Sequence, residues 1–304
     1  MPDNFYNNYK NEIESFIDQA LAEDVGVGDH SSLSCIDSSK KNSAQLIIKD
    51  KGHIAGITLA ELIFKRYDSN LDFSSFIVDG DYVKEGDIGF TVRGRIQSIL
   101  STERVVLNSM QRMSGIASLT FDLNKMIQHT SCKLLDTRKT TPNFRYPEKW
   151  AVQIGGGKNH RMGLFDAIMI KDNHVDFCGS VTKALKKTSQ YIRGLKNPIN
   201  VIVECRNQNE IKEALNFSFV NRILLDNHTP YELSKAVDLI ANKKLTEASG
   251  MITSKNLIEF AETGVDFISM GSLSYDAKNI DMSLKASIYS CLLYTSDAAD
   301  DCRC

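Results

Sequence analysis

The sequence predicts an α/β protein whose larger part is a complete or partial β/α barrel. From residue 133 onward, short apolar runs recur, and each precedes a helix-like segment. The later runs are evenly spaced, since Glu204 to Asp226, Asp226 to Ser249 and Ser249 to Gly271 are 22, 23 and 22 residues apart. Buried strands that alternate with helices form a parallel sheet. The GxGxxG motif of a doubly wound dinucleotide-binding sheet does not follow the first strand.

The chemistry of a β/α barrel is located where its strands end, at the carboxyl-terminal mouth. The predicted strands are KLLD, AIMIK, NVIVE, RILLD, LTEAS and FISMG. Five of them end at Asp136, Lys171, Glu204, Asp226 and Ser249, which we expect to face one mouth. One charged strand end would indicate only a solvated rim, whereas several of both signs favour a functional site.

The first third of the chain predicts a smaller α+β domain. Residues 5–24 have the periodicity of an amphipathic helix. The β-like runs AQLIIKD, HIAGITL, DFSSFIVDG and IGFTVRG follow, with one helical interruption, ITLAELIFKRY. Turn signals on both sides of a short strand occur in DGDYVKEGD. Residues 101–128 predict a long helix that leads into the barrel.

Composition excludes several classes of protein. The 304 residues carry a net charge of −2, so there is no electrostatic footprint for nucleic acid or an anionic membrane. No apolar run reaches the roughly 20 residues of a membrane span. The N-terminus is polar, without the apolar core of a signal peptide. Seven scattered cysteines without CxxC spacing favour reduced thiols over a zinc site or disulfides, and we expect a cytoplasmic protein.

The segment DTRKTTPNFRYPEKWAVQIGGGKNHRMGLFDAIMIKDNH is locally basic, with seven basic and four acidic groups. Arginine matches carboxylates in a bidentate fashion, and lysine suits phosphate as a point charge. This mixture predicts a substrate with carboxylates and a polyphosphate. We expect Arg145, Lys149 and Lys158 to be solvated loop charges, and His160, in a polar loop, to contact a ligand.

Two further patterns concern the phosphate half of such a substrate. The carboxylates of Glu204 and Asp226 suit Mg²⁺, which binds jointly with substrate phosphates. The alternative is a glycosidase with paired carboxylates, although the surrounding basic residues disfavour a neutral sugar. Ser249 and Gly250 precede a helix that Thr253 is expected to open, and FISMGSLS repeats this arrangement, so both predict phosphate binding.

Seven motifs in this order, DTRKTTP, GGGKNHRMGL, IKDNH, VECRN, LLDN, EASG and ISMGSL, resemble quinolinate phosphoribosyltransferase, also called carboxylating nicotinate-nucleotide pyrophosphorylase. STERVVLNSMQRMSGIAS resembles the interdomain helix of that family. The resemblance extends from about residue 15 to 288. It implies transfer of phosphoribose from phosphoribosyl pyrophosphate to quinolinate with decarboxylation, a reaction of NAD biosynthesis.

The resemblance also implies an architecture. The barrel, residues 113–275, would be incomplete and open. The N-terminal α+β domain, residues 1–112, would be sandwich-like and closed by residues 276–289, in which IDMSLKASI would be the closing helix. A homodimer or higher oligomer with shared active sites is expected, in which Arg104 matches an arginine that enters the site of the partner subunit.

The residue roles that the resemblance implies divide the site in two. Arg138, His160 and Arg161 match the residues that hold the quinolinate carboxylates. Glu204 and Asp226 match the contacts to ribose and Mg²⁺, and with Lys139 and Lys171 they form the expected catalytic set. The full expected substrate-binding set is Arg104, Thr137, Arg138, Lys139, His160, Arg161, Lys171, Glu204, Asp226, Ser249, Gly250, Met251, Met270 and Gly271.

The sequence departs from the family pattern in a few places. Asn143 and Met251 stand where glycine is usual, and Tyr275 stands where histidine is common. Met251 is expected to alter affinity for the 5′-phosphate rather than abolish activity. Residues 290–304, SCLLYTSDAADDCRC, do not continue the pattern and resemble translated adaptor sequence, so we expect a non-native tail.

Three other functions are compatible with parts of the pattern. The first is a related phosphoribosyltransferase-like protein with another ligand, such as the molybdenum-transport-associated homologues. The second is an aldolase-type barrel with a Schiff base on Lys171, which does not require Arg104, Arg138 and Arg161 together. The third is a catalytically inactive binding subunit, which the presence of Lys139 and both carboxylates disfavours.

Overall fold

The computed structural model describes residues 3–287, so the expected tail at 290–304 lies outside the described residues. The chain begins with α1 (Asp3–Asn8), α2 (Lys10–Val25) and α3 (His30–Cys35). The predicted single helix over 5–24 is thus divided at Tyr9, whose φ of −128° is not helical. Helix α1 is held by stacking of Phe5 on Trp150, with ring centroids 5.6 Å apart.

The N-terminal domain is built on an antiparallel sheet. Its chain segments are β1 (Lys41–Ile48), β2 (Gly52–His53), α4 (Ile57–Tyr67), β3 (Asp72–Ser75), β4 (Tyr82–Val83) and β5 (Ile88–Arg95). The run HIAGITL was predicted as a strand, but only His53 of it pairs, and α4 begins at Ile57. The reason is a tertiary contact, because the Asp79 carboxylate accepts the Gly56 and Ile57 N–H groups at 2.6 and 2.8 Å.

The long connecting helix is α5 (Ile96–Met126), which has 31 residues and begins five residues before the predicted start. It packs against α4 on one side and against the barrel helix α6 (Arg145–Ile154) on the other. Its close contact with the backbone at Lys278 and Asn279 depends on Gly115, because a Cβ atom there would lie 2.1 Å from the Lys278 carbonyl oxygen.

All six predicted barrel strands are present. They are β6 (Lys133–Leu135), β7 (Ala167–Ile170), β8 (Asn200–Cys205), β9 (Arg222–Asp226), β10 (Leu245–Ser249) and β11 (Phe267–Ser269). They form one parallel sheet in the order β6-β11-β10-β9-β8-β7. Since β6 and β7 are its two edges, the barrel is open, as the resemblance implied.

The barrel helices follow the strands in the expected alternation. After α6 they are α7 (Asp172–Cys178), α8 (Val181–Arg193), α9 (Gln208–Leu215), α10 (Pro230–Ile240), α11 (Leu257–Ala261) and α12 (Ser272–Tyr275). Local sequence starts several of them: the Thr229 hydroxyl and the Glu232 carboxylate form a capping box at α10, with Pro230 at its first position. Thus residues at the N-terminus of α10 define where this helix begins.

The chain then returns to the first domain. The last described strand, β12 (Met282–Ala286), pairs antiparallel with β1, so the sheet order is β12-β1-β5-β3. The expectation of a closing helix in IDMSLKASI was wrong. Met282 and Leu284 are buried while Ser283 between them is half-buried, and this two-residue period suits the edge of a sheet. Within residues 3–287 no helix is both long and apolar enough to cross a membrane.

Candidate active site

A cavity of about 800 Å³ lies at the carboxyl ends of the parallel strands. Apart from Arg104, the whole expected substrate-binding set lines it, together with Tyr275, Asn227 and several residues from deeper in the barrel. Arg104 is exposed on α5 and is not part of this lining, as far as the described residues go.

Among the lining residues that the analysis of the sequence missed are three from deeper in the barrel, Met169, Leu224 and Glu247. Successive residues of a strand point to opposite faces, so residues two positions apart share a face. Leu224 and Glu247 stand two positions before Asp226 and Ser249, and therefore form the layer beneath them. Counting back by two from each strand end would have found these residues.

Asp136 does not face the mouth, which corrects the expectation from its position at a strand end. Its carboxylate is fully buried and accepts a hydrogen bond from the Lys149 ammonium, which is also fully buried. The same carboxylate accepts the Asn159 amide at 2.6 Å and the His160 backbone N–H at 2.8 Å. Asp136 thus fixes the loop that carries His160 and Arg161.

Lys149 was expected to be a solvated loop charge, and this was wrong. It lies on α6, whose residues Pro147–Val152 are buried against the rest of the domain. Burial lowers the pKa of the Lys149 ammonium and raises the pKa of the Asp136 carboxyl, because removal from water disfavours both charged forms. The hydrogen bonds to Asp136 offset part of the free-energy cost of burying these charges.

The loop at residues 157–161 fills the opening of the barrel. Lys158 forms a parallel bridge with Leu135 of β6, and the Arg161 guanidinium donates to the Ala167 carbonyl oxygen of β7 at 3.2 Å. Lys158 is exposed, as expected. The loop therefore contacts both edge strands, and it brings His160 and Arg161 into the cavity.

The TTP turn is held by a second buried carboxylate. Glu148 accepts the Thr141 backbone N–H at 3.0 Å, the Thr141 hydroxyl at 2.9 Å and the Arg112 guanidinium at 3.0 Å. Arg145 is half-buried and donates to the Thr140 hydroxyl and the Met162 carbonyl oxygen, at 3.0 and 3.2 Å. The expectation that Arg145 is solvated was therefore wrong, because its guanidinium cross-links two loops.

One side of the cavity is cationic, with Arg138, Lys139, Arg161 and Lys171 in its lining. Burial and the neighbouring positive charge of Arg138 lower the pKa of Arg161. Lys139 passes close to the next strand end, because a Cβ atom on Gly271 would lie 2.8 Å from the Lys139 Cδ. Such a cluster of positive charges fits a polyanionic ligand.

The opposite side carries the paired carboxylates. Burial and the nearby negative charge of Asp226 raise the pKa of Glu204. Lys171 bridges the two sides, with its Nζ 4.0 Å from the Glu204 Oε2. Asp226 accepts hydrogen bonds from the Ser249 hydroxyl and the Asn227 side chain. The two negative charges at adjacent strand ends repel each other, and a bound cation would reduce this repulsion.

The turn after β10 has the conformation that glycine favours, although it contains Met251. Gly250 has φ +88°, and a Cβ atom there would lie 2.1 Å from the Asn227 Oδ1. Met251 has φ +53°, and its side chain is 84% exposed, so it points away from the protein interior. Asn143 likewise keeps φ +61°. Both substituted positions therefore retain the left-handed backbone of a glycine.

The helices expected after these turns are shorter than predicted. Helix α11 begins at Leu257 and not near Thr253, because the Asn256 side chain accepts the Thr253 N–H at 2.7 Å and holds a separate turn. Helix α12 has only four residues, Ser272–Tyr275. Residues of both turns still line this side of the cavity.

The open β/α barrel and its cavity of mixed charge define an enzyme that handles a substrate with several negative charges. A family model described as the C-terminal domain of quinolinate phosphoribosyl transferase matches residues 116–285, and the N-terminal domain of the same family matches residues 29–114. The chain belongs to the quinolinate phosphoribosyl transferase family.

Individual relatives agree with this assignment. The chain is 43% identical to the chloroplastic, carboxylating nicotinate-nucleotide pyrophosphorylase of Oryza sativa over 90% of this chain and 77% of that protein. It is equally similar to quinolinate phosphoribosyltransferase [decarboxylating] 1b of Nicotiana tabacum, over 90% of this chain and 82% of that protein. The structure of NadC from Streptococcus pyogenes superposes with a TM-score of 0.83 at 37% identity and covers 90% of this chain and 95% of its own.

Proposed function

We propose that this chain transfers phosphoribose from phosphoribosyl pyrophosphate to quinolinate with loss of one carboxylate as CO₂. The products are nicotinate mononucleotide and pyrophosphate. The observation that carries the proposal is the arrangement of the cavity, with a cationic cluster on one side and the Glu204 and Asp226 carboxylates on the other. Membership of the family supports it.

The cationic side is assigned to quinolinate. Arg138 and Arg161 supply planar donors that match its two carboxylates, and Thr137 and His160 lie beside them. Lys139 and Lys171 are assigned to charge stabilisation next to the reacting atoms. Lys171 is half exposed and lies near Glu204, a setting for an ionic partner rather than for a Schiff-base nucleophile.

The other side is assigned to phosphoribosyl pyrophosphate. Glu204 and Asp226 can accept hydrogen bonds from ribose hydroxyls, since carboxylates are acceptors when ionised. The turns at Ser249, Gly250 and Met251 and at Met270 and Gly271 are assigned to the 5′-phosphate, because they line the cavity at the ends of β10 and β11.

The residues present fit a magnesium ion shared with the substrate. Glu204 and Asp226 supply hard oxygen ligands, and their mutual repulsion raises the pKa of Glu204 beyond the effect of burial. No cluster of three or more metal-binding side chains occurs within residues 3–287, which suits Mg²⁺ because it binds through one or two carboxylates plus phosphates and water. When bound, the ion would neutralise charge on the pyrophosphate.

The site acts by positioning and by charge stabilisation. The pyridine nitrogen of quinolinate forms a bond to the anomeric carbon as the bond from that carbon to pyrophosphate breaks. Lys139 and Lys171 stabilise the charge on the leaving group. The ring nitrogen is then cationic, so the adjacent carboxylate leaves as CO₂, and the electron pair left on the ring carbon takes up a proton.

The direct test is to incubate purified protein with quinolinate, phosphoribosyl pyrophosphate and Mg²⁺. We expect release of CO₂ and formation of nicotinate mononucleotide. Turnover with nicotinate but not with quinolinate would contradict the proposal. Borohydride with substrate should leave Lys139 and Lys171 unmodified, and covalent trapping on either lysine would favour the aldolase-type alternative.

We further propose a homodimer with shared active sites, in which Arg104 enters the cavity of the partner subunit. The exposure of Arg104 and its position outside the lining of its own cavity support this arrangement. Mixing inactive Arg104→Ala and Lys139→Ala chains should restore part of the activity, because one of the two sites in a mixed dimer is intact. Complete failure to recover activity would count against a shared site.

A cytoplasmic location is proposed from the cysteines alone. The described ones, Cys35, Cys132, Cys178 and Cys205, are all free thiols, which suits a reducing compartment. The rice relative is described as chloroplastic, so organelles are the alternative. Cell fractionation with an antibody to the native protein distinguishes these compartments.

A further inference from the structure

Glu247 lies inside the barrel, one layer below the strand ends, and its side chain is fully buried. Its Oε2 accepts a hydrogen bond from the Arg222 guanidinium at 2.8 Å and lies 3.2 Å from the His160 Nε2. The Arg222 guanidinium is itself fixed, 4.4 Å above the Phe267 ring. Glu247 is therefore held by one cation and directs its charge at one nitrogen of His160.

The other ring nitrogen of His160 also has a protein partner. His160 Nδ1 lies 2.7 Å from the Arg161 backbone nitrogen, which carries a hydrogen, so Nδ1 must act as the acceptor. The Glu247 carboxylate has no proton to donate when ionised, so Nε2 must carry the hydrogen. Although burial opposes it, the hydrogen bond from His160 and the charge of Arg222 lower the pKa of Glu247.

These contacts select one tautomer. With hydrogen on Nε2 and a lone pair on Nδ1, the His160 side chain holds the Arg161 backbone, while Asp136 accepts the His160 N–H at 2.8 Å from the other side. The Arg161 guanidinium is anchored on the Ala167 carbonyl oxygen. A substrate carboxylate could bind a His160 ring nitrogen only by displacing one of these contacts.

We propose that Glu247 is a positioning residue for the carboxylate-binding side of the cavity. Through the Nε2–H tautomer of His160 it fixes the backbone and guanidinium of Arg161, and His160 acts on the substrate through Arg161. This role rests on the proposed function only in naming quinolinate as the dicarboxylate that Arg161 holds. The tautomer itself follows from the geometry whatever the substrate is.

The first measurement therefore requires no activity. Two-bond ¹H–¹⁵N NMR spectra of the unliganded protein, with the His160 signals assigned from the His160→Asn variant, report which ring nitrogen is protonated. We expect a protonated Nε2 and an unprotonated Nδ1 in the wild type, and loss of this pattern in Glu247→Leu, which offers Nε2 no acceptor. An Nδ1–H tautomer in the wild type would overturn the proposal.

The second measurement is kinetic. In Glu247→Leu the KM for quinolinate should rise roughly tenfold, the effect of losing one hydrogen bond to a charged group, whereas the KM for phosphoribosyl pyrophosphate should stay nearly unchanged. The matched control is Thr246→Val on the same strand, where the Thr246 hydroxyl donates to Asp266 at 2.8 Å, away from the cavity. This control should lower stability and leave both KM values unchanged.

The outcomes separate the two proposals. A wild-type protein without activity on quinolinate would refute the proposed function, while the tautomer measurement would still decide the role of Glu247. An equal rise of both KM values in Glu247→Leu, or the same rise in Thr246→Val, would show a merely structural role and refute the positioning role.

Discussion

The Asp136 carboxylate and the Lys149 ammonium form an ion pair that is fully buried beneath the candidate active site. The pair links the end of β6 to α6, and Asp136 also accepts hydrogen bonds from Asn159 and His160. A buried ion pair contributes little net stability, because desolvation of both groups offsets their attraction. Its contribution here is the placement of the loop that carries His160 and Arg161.

This role predicts that stability and activity can be separated. Lys149→Met leaves the Asp136 charge buried without its partner, so we expect a loss of about 3–5 kcal/mol in the free energy of unfolding. The double variant Asp136→Leu, Lys149→Met should recover most of that stability. It should be almost inactive, because the loop that carries His160 and Arg161 has lost its hydrogen bonds to Asp136. Denaturant unfolding and quinolinate turnover measure the two effects. Full activity in the double variant would show that the loop does not need Asp136.

Replacement of the Glu204 carboxylate is predicted to raise the stability of the protein and to abolish its activity. Burial and Asp226 raise its pKa, so Glu204 favours the folded state below the pKa of a free carboxyl, and this contribution is lost as pH rises through the raised pKa. Glu204→Gln should therefore abolish turnover and raise the melting temperature at pH 7 by roughly 2 °C, a shift that corresponds to about 1 kcal/mol. The gain should shrink as the pH approaches 4.

A carboxylate elsewhere in the barrel provides a control, in which the expected change in melting temperature has the opposite sign. Glu213 accepts the Thr182 hydroxyl and N–H, both at 2.7 Å, and these bonds lower its pKa. Its contribution is present above the pKa of a free carboxyl and is lost as pH falls through the lowered value. Glu213→Gln should thus lower the melting temperature at pH 7. Equal shifts in both variants would refute the electrostatic explanation.

Replacement of Met251, which lines the cavity, by glycine is predicted to stabilise the protein. The left-handed backbone costs a residue with a side chain about 1–2 kcal/mol, and glycine loses about 0.4–1 kcal/mol through the entropy of its unfolded state. Met251→Gly should therefore stabilise the protein by about 0.5–1 kcal/mol, measured by denaturant unfolding. It should also lower the KM for phosphoribosyl pyrophosphate, since it clears a side chain beside the assigned phosphate turn.

Asn143→Gly is the matched control for that substitution, because Asn143 has φ +61° but asparagine tolerates the left-handed region. We expect its stability to change little. If Asn143→Gly stabilised the protein as much as Met251→Gly, relief of backbone strain at Met251 would not be the cause.

Replacement of Gly271 by alanine is predicted to lower activity without unfolding the protein. Its φ of −67° is ordinary, so an alanine is not strained there, but the new Cβ atom would lie 2.8 Å from the Lys139 Cδ. Gly271→Ala should displace the Lys139 side chain and lower kcat by roughly 10²-fold, the effect of misplacing a catalytic group by about 1 Å. Gly194→Ala, with only an ordinary contact at 3.5 Å, should leave kcat unchanged. A nearly normal kcat in Gly271→Ala would argue against Lys139 as a catalytic group.

The six parallel strands and their ends could be predicted from local composition alone. Buried strands in a parallel sheet have continuous apolar runs, which local composition reveals without any knowledge of contacts. Residues such as Lys171, Glu204, Asp226 and Ser249 therefore came together at one cavity as predicted from their positions. The motifs added the family, whose models match residues 29–114 and 116–285.

Local composition could not predict the positions where a distant partner outweighs the local pattern. The local sequence predicts a solvated charge at Lys149, because only the packing of α6 brings its ammonium to Asp136. Strand β12 forms because an edge of the N-terminal sheet is available to it. The local sequence shows Glu247 only as one acidic residue within a strand, because its partners Arg222, on the neighbouring strand, and His160, on a distant loop, are brought to it by the fold. The pairing of buried charges depends on which surfaces approach each other, and that information lies in contacts between residues far apart in the chain.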